Sequence, residues 1–191
     1  MRAAPALLAV GLALAAVVLS ACVPEPSAVP TGPESTATAS PSPTATPSPT
    51  PTLIALPTDC RAVLGPEVLT QLDGVLLNDP GFGSDAGRQP DGSMHCIWGR
   101  AYTDTGRLWT AFSYLDRAPA LDMLDELQKD EGFTCFTSDG GTRCEKTWAD
   151  ATSPVMDGRT LFWRDGVLID TRYSIIAPTG YTSSLIAHLW P

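Results

Sequence analysis

Apolar and polar positions divide the chain into three stretches. From Ala3 to Leu19 runs an uncharged apolar segment of 17 residues, "AAPALLAVGLALAAVVL", behind a single Arg2. From Val23 to Thr52 that pattern vanishes: nine of the thirty residues are proline, most others are Ser, Thr or Ala, and none is aromatic. From residue 53 to residue 191 short apolar periods return, the signature of a folded domain of ordinary size.

Within 53–191 three segments carry helical spacing. "TDCRAVLGPEVLTQL" opens with Thr58 or Asp59 as a cap, is interrupted at Gly65, and resumes at Pro66, which suits a first helical turn. "APALDMLDELQKDEG" places Leu121, Leu124 and Leu127 on one stripe and stops at Gly132. "YTSSLIAHLW" puts Tyr181, Leu185 and Leu189 on one face. Between them lie six short segments rich in aromatic and β-branched residues: "MHCIWG", "LWTAFSYL", "GFTCFT", "TRCEKTW", "RTLFWR" and "VLIDTRYSII". "SDGG" and "RDGV" are two-residue hairpin signals, because Asp-Gly accepts the positive φ of a type I′ turn. The order αββαββββα with tight turns predicts an α+β domain. Its antiparallel sheet has about six strands, with the helices packed on one face.

The two leading stretches read differently. Arg2 followed by an apolar run and small residues fits a secretory signal peptide, residues 1–21. An uncleaved anchor is the alternative, although a spanning helix wants roughly 20 apolar residues and this run contains Pro5 and Gly11. Residues 22–52 form a tether that lacks the apolar surface to offset ordering entropy. Its prolines bias it toward extended polyproline II, with a reach of roughly 90 Å. Such Ser/Thr/Pro stretches also serve as O-glycosylated stalks.

Charge narrows the partners. Beyond residue 52 lie 19 of the 21 acids and 11 of the 12 bases, a charge near −8. That excess argues against nucleic acid, which wants a basic face, and against adhesion to anionic lipid.

The last letters of the apolar run add a resemblance. "LSAC", Leu19–Cys22, resembles the lipobox of bacterial lipoproteins. The resemblance implies cleavage between Ala21 and Cys22 and acylation of Cys22, with fatty acids of the palmitate kind. A diacylglyceryl-cysteine supplies two acyl chains at once, enough for stable anchoring where one is marginal. Signal, lipobox, tether and a domain containing Cys60 and "CIW" (Cys96–Trp98) together resemble a broad group of actinobacterial secreted lipoproteins of unassigned function. More distantly, the pattern is similar to extracellular sensor domains of mycobacterial Ser/Thr kinases, which also carry two disulfides. The resemblance implies a Cys60–Cys96 disulfide and an export route, and it carries no catalytic residues.

The remaining cysteines, Cys135 and Cys144, flank the Asp139-Gly140 turn. Counting outward from that turn, Ser138 faces Gly141, Thr137 faces Thr142, Phe136 faces Arg143 and Cys135 faces Cys144. The last pair falls on a non-hydrogen-bonded position, where Cα atoms lie only about 4.5 Å apart. A structural cross-strand disulfide is therefore expected. Redox chemistry wants C-x-x-C and zinc wants four ligands; the sequence supplies neither.

Candidate chemistry is sparse. His95 and His188 are the only histidines, and no G-x-S-x-G elbow surrounds a serine. Asp79, Asp85 and Asp91 lack the alternation of an EF-hand loop, so neither metal nor cofactor is expected. Residues 74–93 form a long stretch without a clear element, a candidate binding loop containing Phe82; Ala149–Gly158 is a shorter one. Of the five tryptophans, Trp98 shares a strand face with Cys96 and is expected to pack near its disulfide. Trp109 and Trp148 are the candidates for exposed binding aromatics, with Phe82 beside them.

The expectation is a lipid-anchored lipoprotein on the extracytoplasmic face of the cell membrane, touching the membrane through its anchor only. Its domain is a non-enzymatic module for a small ligand, envelope component or protein partner. The alternative is an envelope-acting hydrolase or transferase using Ser93 or Asp91 with His95. The anchor generates a direct prediction: cells fed labelled palmitate should incorporate label into this chain, and Cys22→Ala should abolish it. Label retained by the Cys22→Ala chain would contradict acylation at that residue.

Overall fold

In the computed structural model, residues 53–83, 85–100 and 106–191 are described. The expected signal peptide 1–21, the expected lipidation site Cys22 and the expected tether to residue 52 lie outside the described residues.

The domain is built on one antiparallel sheet of eight strands: β1 (Leu76–Leu77), β2 (Gly87–Arg88), β3 (Met94–Gly99), β4 (Arg107–Tyr114), β5 (Thr134–Ser138), β6 (Gly141–Ala149), β7 (Met156–Arg164) and β8 (Val167–Ser174). The strand order is β1-β3-β4-β8-β7-β6-β5, and β2 also pairs with β3. Three helices complete it: α1 (Pro66–Gln71), α2 (Arg117–Asp130) and α3 (Tyr181–Leu189). The six long strands are the six expected from periodicity. Their hairpins turn at Asp139-Gly140 and Asp165-Gly166, where all four residues have φ between 49° and 82°, as a type I′ turn requires.

Two features differ from the sequence expectation. First, residues 74–93 are not a structureless excursion. β1 and β2 both pair with the outer edge of β3, at Leu77↔Trp98 and Gly87↔His95. Between them Asn78 extends the ladder: its N–H donates to the Ile97 carbonyl at 2.7 Å, and its Oδ1 accepts from the Ile97 N–H at 2.7 Å. Asp79 then caps a short 3-10 turn, Pro80–Phe82. Two-residue strands are too short to show a period of two, so the sequence pattern could not display them.

Second, the helices divide between the two faces. Val68 of α1 and Tyr181, Leu185 and Leu189 of α3 pack on Met94, Cys96, Trp98, Leu108, Phe112, Phe162 and Ile169. Ala120, Leu124 and Leu127 of α2 instead pack with Cys144, Leu161, Trp163 and Leu168. Along a strand successive side chains alternate faces, so Leu161 and Leu168 point opposite to Phe162 and Ile169. An apolar stripe on a helix demands burial but does not choose which side of a sheet provides it.

Both disulfides form. Cys60–Cys96 spans 36 residues and ties the segment before α1 to β3, with Trp98 fully buried on the same face. In the chain-entropy model such a loop stabilises by about 4 kcal/mol. Cys135–Cys144 joins β5 to β6 with Cα atoms 4.0 Å apart, and all four pairs counted from the turn are present.

Inside the α1/α3 core sits one polar cluster. Thr110 Oγ1 donates to the Tyr181 hydroxyl at 3.1 Å and lies 3.1 Å from Thr171 Oγ1. Burial pushes the Tyr181 hydroxyl up to about 12, against about 10 in an unfolded chain. The folded state thus holds its proton to higher pH than the unfolded state. The resulting stability is complete below pH 10 and is lost as pH rises toward 12, a difference of about 3 kcal/mol. Denaturant titrations across that window should show a steep alkaline loss. Tyr181→Phe should flatten it while losing about 1 kcal/mol at neutral pH. Equal alkaline slopes in both proteins would contradict this assignment.

Candidate functional site

Helix α2 covers only part of its face of the sheet. Beyond it the strands continue with polar and aromatic side chains, and the register lines these up in rows. One row runs Ile97, Trp109, Arg172, Arg159, Lys146 across β3, β4, β8, β7 and β6, each residue directly opposite the next. The next row outward runs Gly99, Arg107, Ser174, Asp157, Trp148. The row inward contains Asp170 and then Leu161 and Cys144, already part of the α2 core. From Trp109 to Lys146 and from Arg107 to Trp148 these rows floor a groove of about 780 Å³. Its walls come from Glu131 and Phe133 after α2, and from the β6–β7 loop through Asp150, Thr152 and Val155.

Trp109 and Trp148, both expected as binding aromatics, line this groove; Trp148 is 39% exposed. They sit at opposite sides, on β4 and β6, with two strands between them. The candidate segment Ala149–Gly158 spans the end of β6, the β6–β7 connection and the start of β7, and it lines the groove through Asp150, Thr152, Val155 and Asp157. Phe82 does not line it. Its ring lies against Gly99, where an added Cβ would come within 2.7 Å of the ring. Arg107 reaches it by stacking its guanidinium 5.1 Å from the ring centre and donating to its carbonyl at 3.3 Å. Phe82 therefore touches the groove's lining at Arg107.

Each cation on the floor is held by a specific partner. Arg159 donates Nε and Nη2 to the two carboxylate oxygens of Asp170 at 2.9 and 2.8 Å. This fork-to-fork geometry is the strong form of a charged hydrogen bond, and it holds the Arg159 guanidinium above its ordinary pKa. Arg172 donates a single 3.3 Å bond to Asp170 and lies 5.3 Å over the Trp109 ring. Lys146 donates to the Glu131 carbonyl at the C-terminal end of α2, where the helix dipole favours a cation. At the rim, hydrogen bonds from the Thr152 hydroxyl and amide keep Asp150 below the usual carboxylate range. One carboxylate oxygen, Asp157 Oδ1, is buried without a hydrogen-bond partner.

The rim is also strained. Ile175 has φ 64° and is 49% exposed, at the centre of a turn closed by the Ile176 N–H on the Ser174 carbonyl at 2.6 Å. A β-branched residue there costs about 1–3 kcal/mol, and such strain clusters at functional sites.

Ser93, Asp91 and His95, the residues of the enzymatic alternative, are not among those lining the groove. Ser93 Oγ donates to Asp91 Oδ1 at 2.7 Å, and this bond with the Ser93 amide lowers the Asp91 carboxyl. His95 Nδ1 lies 2.9 Å from the Asp85 carbonyl, which can only accept, so Nδ1 carries the proton there. The His95 ring packs edge-on against Trp109 at 5.2 Å. Among the described residues, no three His, Cys, Asp or Glu side chains converge as a metal site.

Sequence reasoning missed the cations. Arg159 and Arg172 flank the Asp165-Gly166 turn symmetrically, so counting outward from that turn, as for the cysteines, would have paired them. Lys146 and Trp109 join through longer connections whose register the sequence does not set. Comparison of the chain with protein-family models, with curated proteins and with solved structures finds no match.

Proposed function

We propose that this chain is a membrane-anchored extracytoplasmic lipoprotein whose folded domain is a non-enzymatic binding module, with the open groove as its ligand site. The observation that carries the reading is the pairing of Trp109 and Trp148 across one groove on the uncovered sheet face. Concave sites with aromatic walls and a few placed polar groups are where small ligands bind.

Three further features support the cellular setting. The lipobox ending at Cys22 and the Pro/Ser/Thr tether suit a domain held off a membrane. Two disulfides suit an oxidising compartment. The Cys60…Cys96-Ile97-Trp98 pattern keeps the resemblance to actinobacterial lipoproteins as part of the same proposal. Against the hydrolase or transferase alternative stands the absence of a hydrogen bond from His95 to Ser93 or Asp91 among the described residues. A general base must reach the proton it abstracts.

Native mass spectrometry of the chain purified from its own host tests the reading. The wild-type protein should carry a small-molecule adduct that is lost, or reduced at least tenfold, in Trp109→Ala and Trp148→Ala. An adduct that survives both substitutions together would place the ligand elsewhere, and a bare wild-type mass would contradict the reading.

A further inference from the structure

The groove's chemistry points to a ligand class, and this step rests on the groove being a binding site. Arg172, Arg159 and Lys146 stand directly opposite one another on three successive strands, on one face of the sheet. Like charges in directly opposed positions destabilise a sheet, and this domain carries an excess of acids from which partners could have been drawn. Only one carboxylate, Asp170, is ion-paired with the row among the described residues. Arg107 adds a fourth cation in the neighbouring row.

The fixed partners leave donors over. Arg172 spends one bond on Asp170, its side chain is 56% exposed, and a guanidinium has five N–H groups. Because Asp170 and the Trp109 ring hold that guanidinium, its remaining donors are pre-aimed rather than floppy. Arg and Lys side by side with donors to spare recognise carboxylate and phosphate oxygens. In the adjacent row, two residues along β7 from Arg159, Asp157 also lines the groove; its Oδ1 is buried without a protein partner, and its carboxylate can accept from a hydroxyl or N–H of the same ligand.

We propose that the groove takes a small oxyanion: a molecule whose carboxylate or phosphate sits on Arg172, Arg159 and Lys146 and whose hydrogen-bond donor meets Asp157. The domain's charge near −8 repels an anionic bilayer. A groove of about 780 Å³ suits a small free molecule rather than a lipid surface.

Inorganic phosphate and citrate are the probes, titrated at constant ionic strength into the full chain, with thermal unfolding and tryptophan fluorescence as readouts. Arg172→Gln and Lys146→Gln remove exposed or half-buried donors while leaving the Arg159–Asp170 pair in place. The expected result is saturable binding of at least one probe by the wild-type chain, weakened tenfold or more in each variant. Both anions also stabilise folded proteins by exclusion from their surface, and that general effect would appear equally in all three proteins. An equal response in all three, or none, overturns the oxyanion assignment. A neutral adduct in the host-purified protein that disappears in Trp148→Ala, beside silent phosphate and citrate titrations, would overturn the oxyanion assignment alone and leave the groove standing as a binding site.

Discussion

The organisation of the open face depends on one carboxylate. Asp170 lies in β8, near the middle of the sheet, and is 8% exposed. It borders the apolar layer under α2 on one side and the cation row on the other. Its two oxygens take the Arg159 fork and also a bond from Arg172. Without it, two guanidinium groups would face each other across adjacent strands with no shared counter-charge. With it, Arg159 is fixed against the floor and Arg172 lies over Trp109. The same residue thus sets where the core stops and where the groove begins.

The covering of the sheet follows from supply. The α1/α3 side has two helices, the Leu56–Leu64 segment and the Cys60–Cys96 bond, and it closes fully over Trp98, Phe112 and Phe162. The other side has only α2, fourteen residues long, and it buries Leu161, Trp163, Leu168 and Cys144. The Cys135–Cys144 staple holds β5 and β6 in register beneath that helix. What α2 cannot reach is occupied by side chains that tolerate water. They include two tryptophans, four cations and the carboxylates of Glu131, Asp150 and Asp157, with the strained Ile175 at the rim.

Much of this was legible in the sequence, for local reasons. Six strands and three helices follow from side-chain period, and the Asp-Gly turns set the β5–β6 and β7–β8 registers. Trp109 faces away from Phe112 by strand parity alone, which is how its place in the groove could be anticipated. Other features depend on long-range geometry. The face chosen by α2 depends on how its flanking connections run. β1 and β2 exist because Asn78 and its neighbours find the edge of β3, not because of any pattern of their own. Phe82 was a reasonable binding aromatic until Gly99 offered it a seat. The cation row was hidden by arithmetic: an acidic total says nothing about where the bases gather once strands from four parts of the chain align.

The most direct test of this account is a double-mutant cycle on Asp170 and Arg159, read by chemical denaturation. Asp170→Asn alone should destabilise the domain by about 3 kcal/mol or more, because it strands a half-buried guanidinium beside another. Adding Arg159→Met to that chain should recover a substantial part of the loss, since the uncompensated charge is then gone. If Asp170→Asn is neutral, or if the double mutant loses the sum of the two single effects, Asp170 does not organise this face.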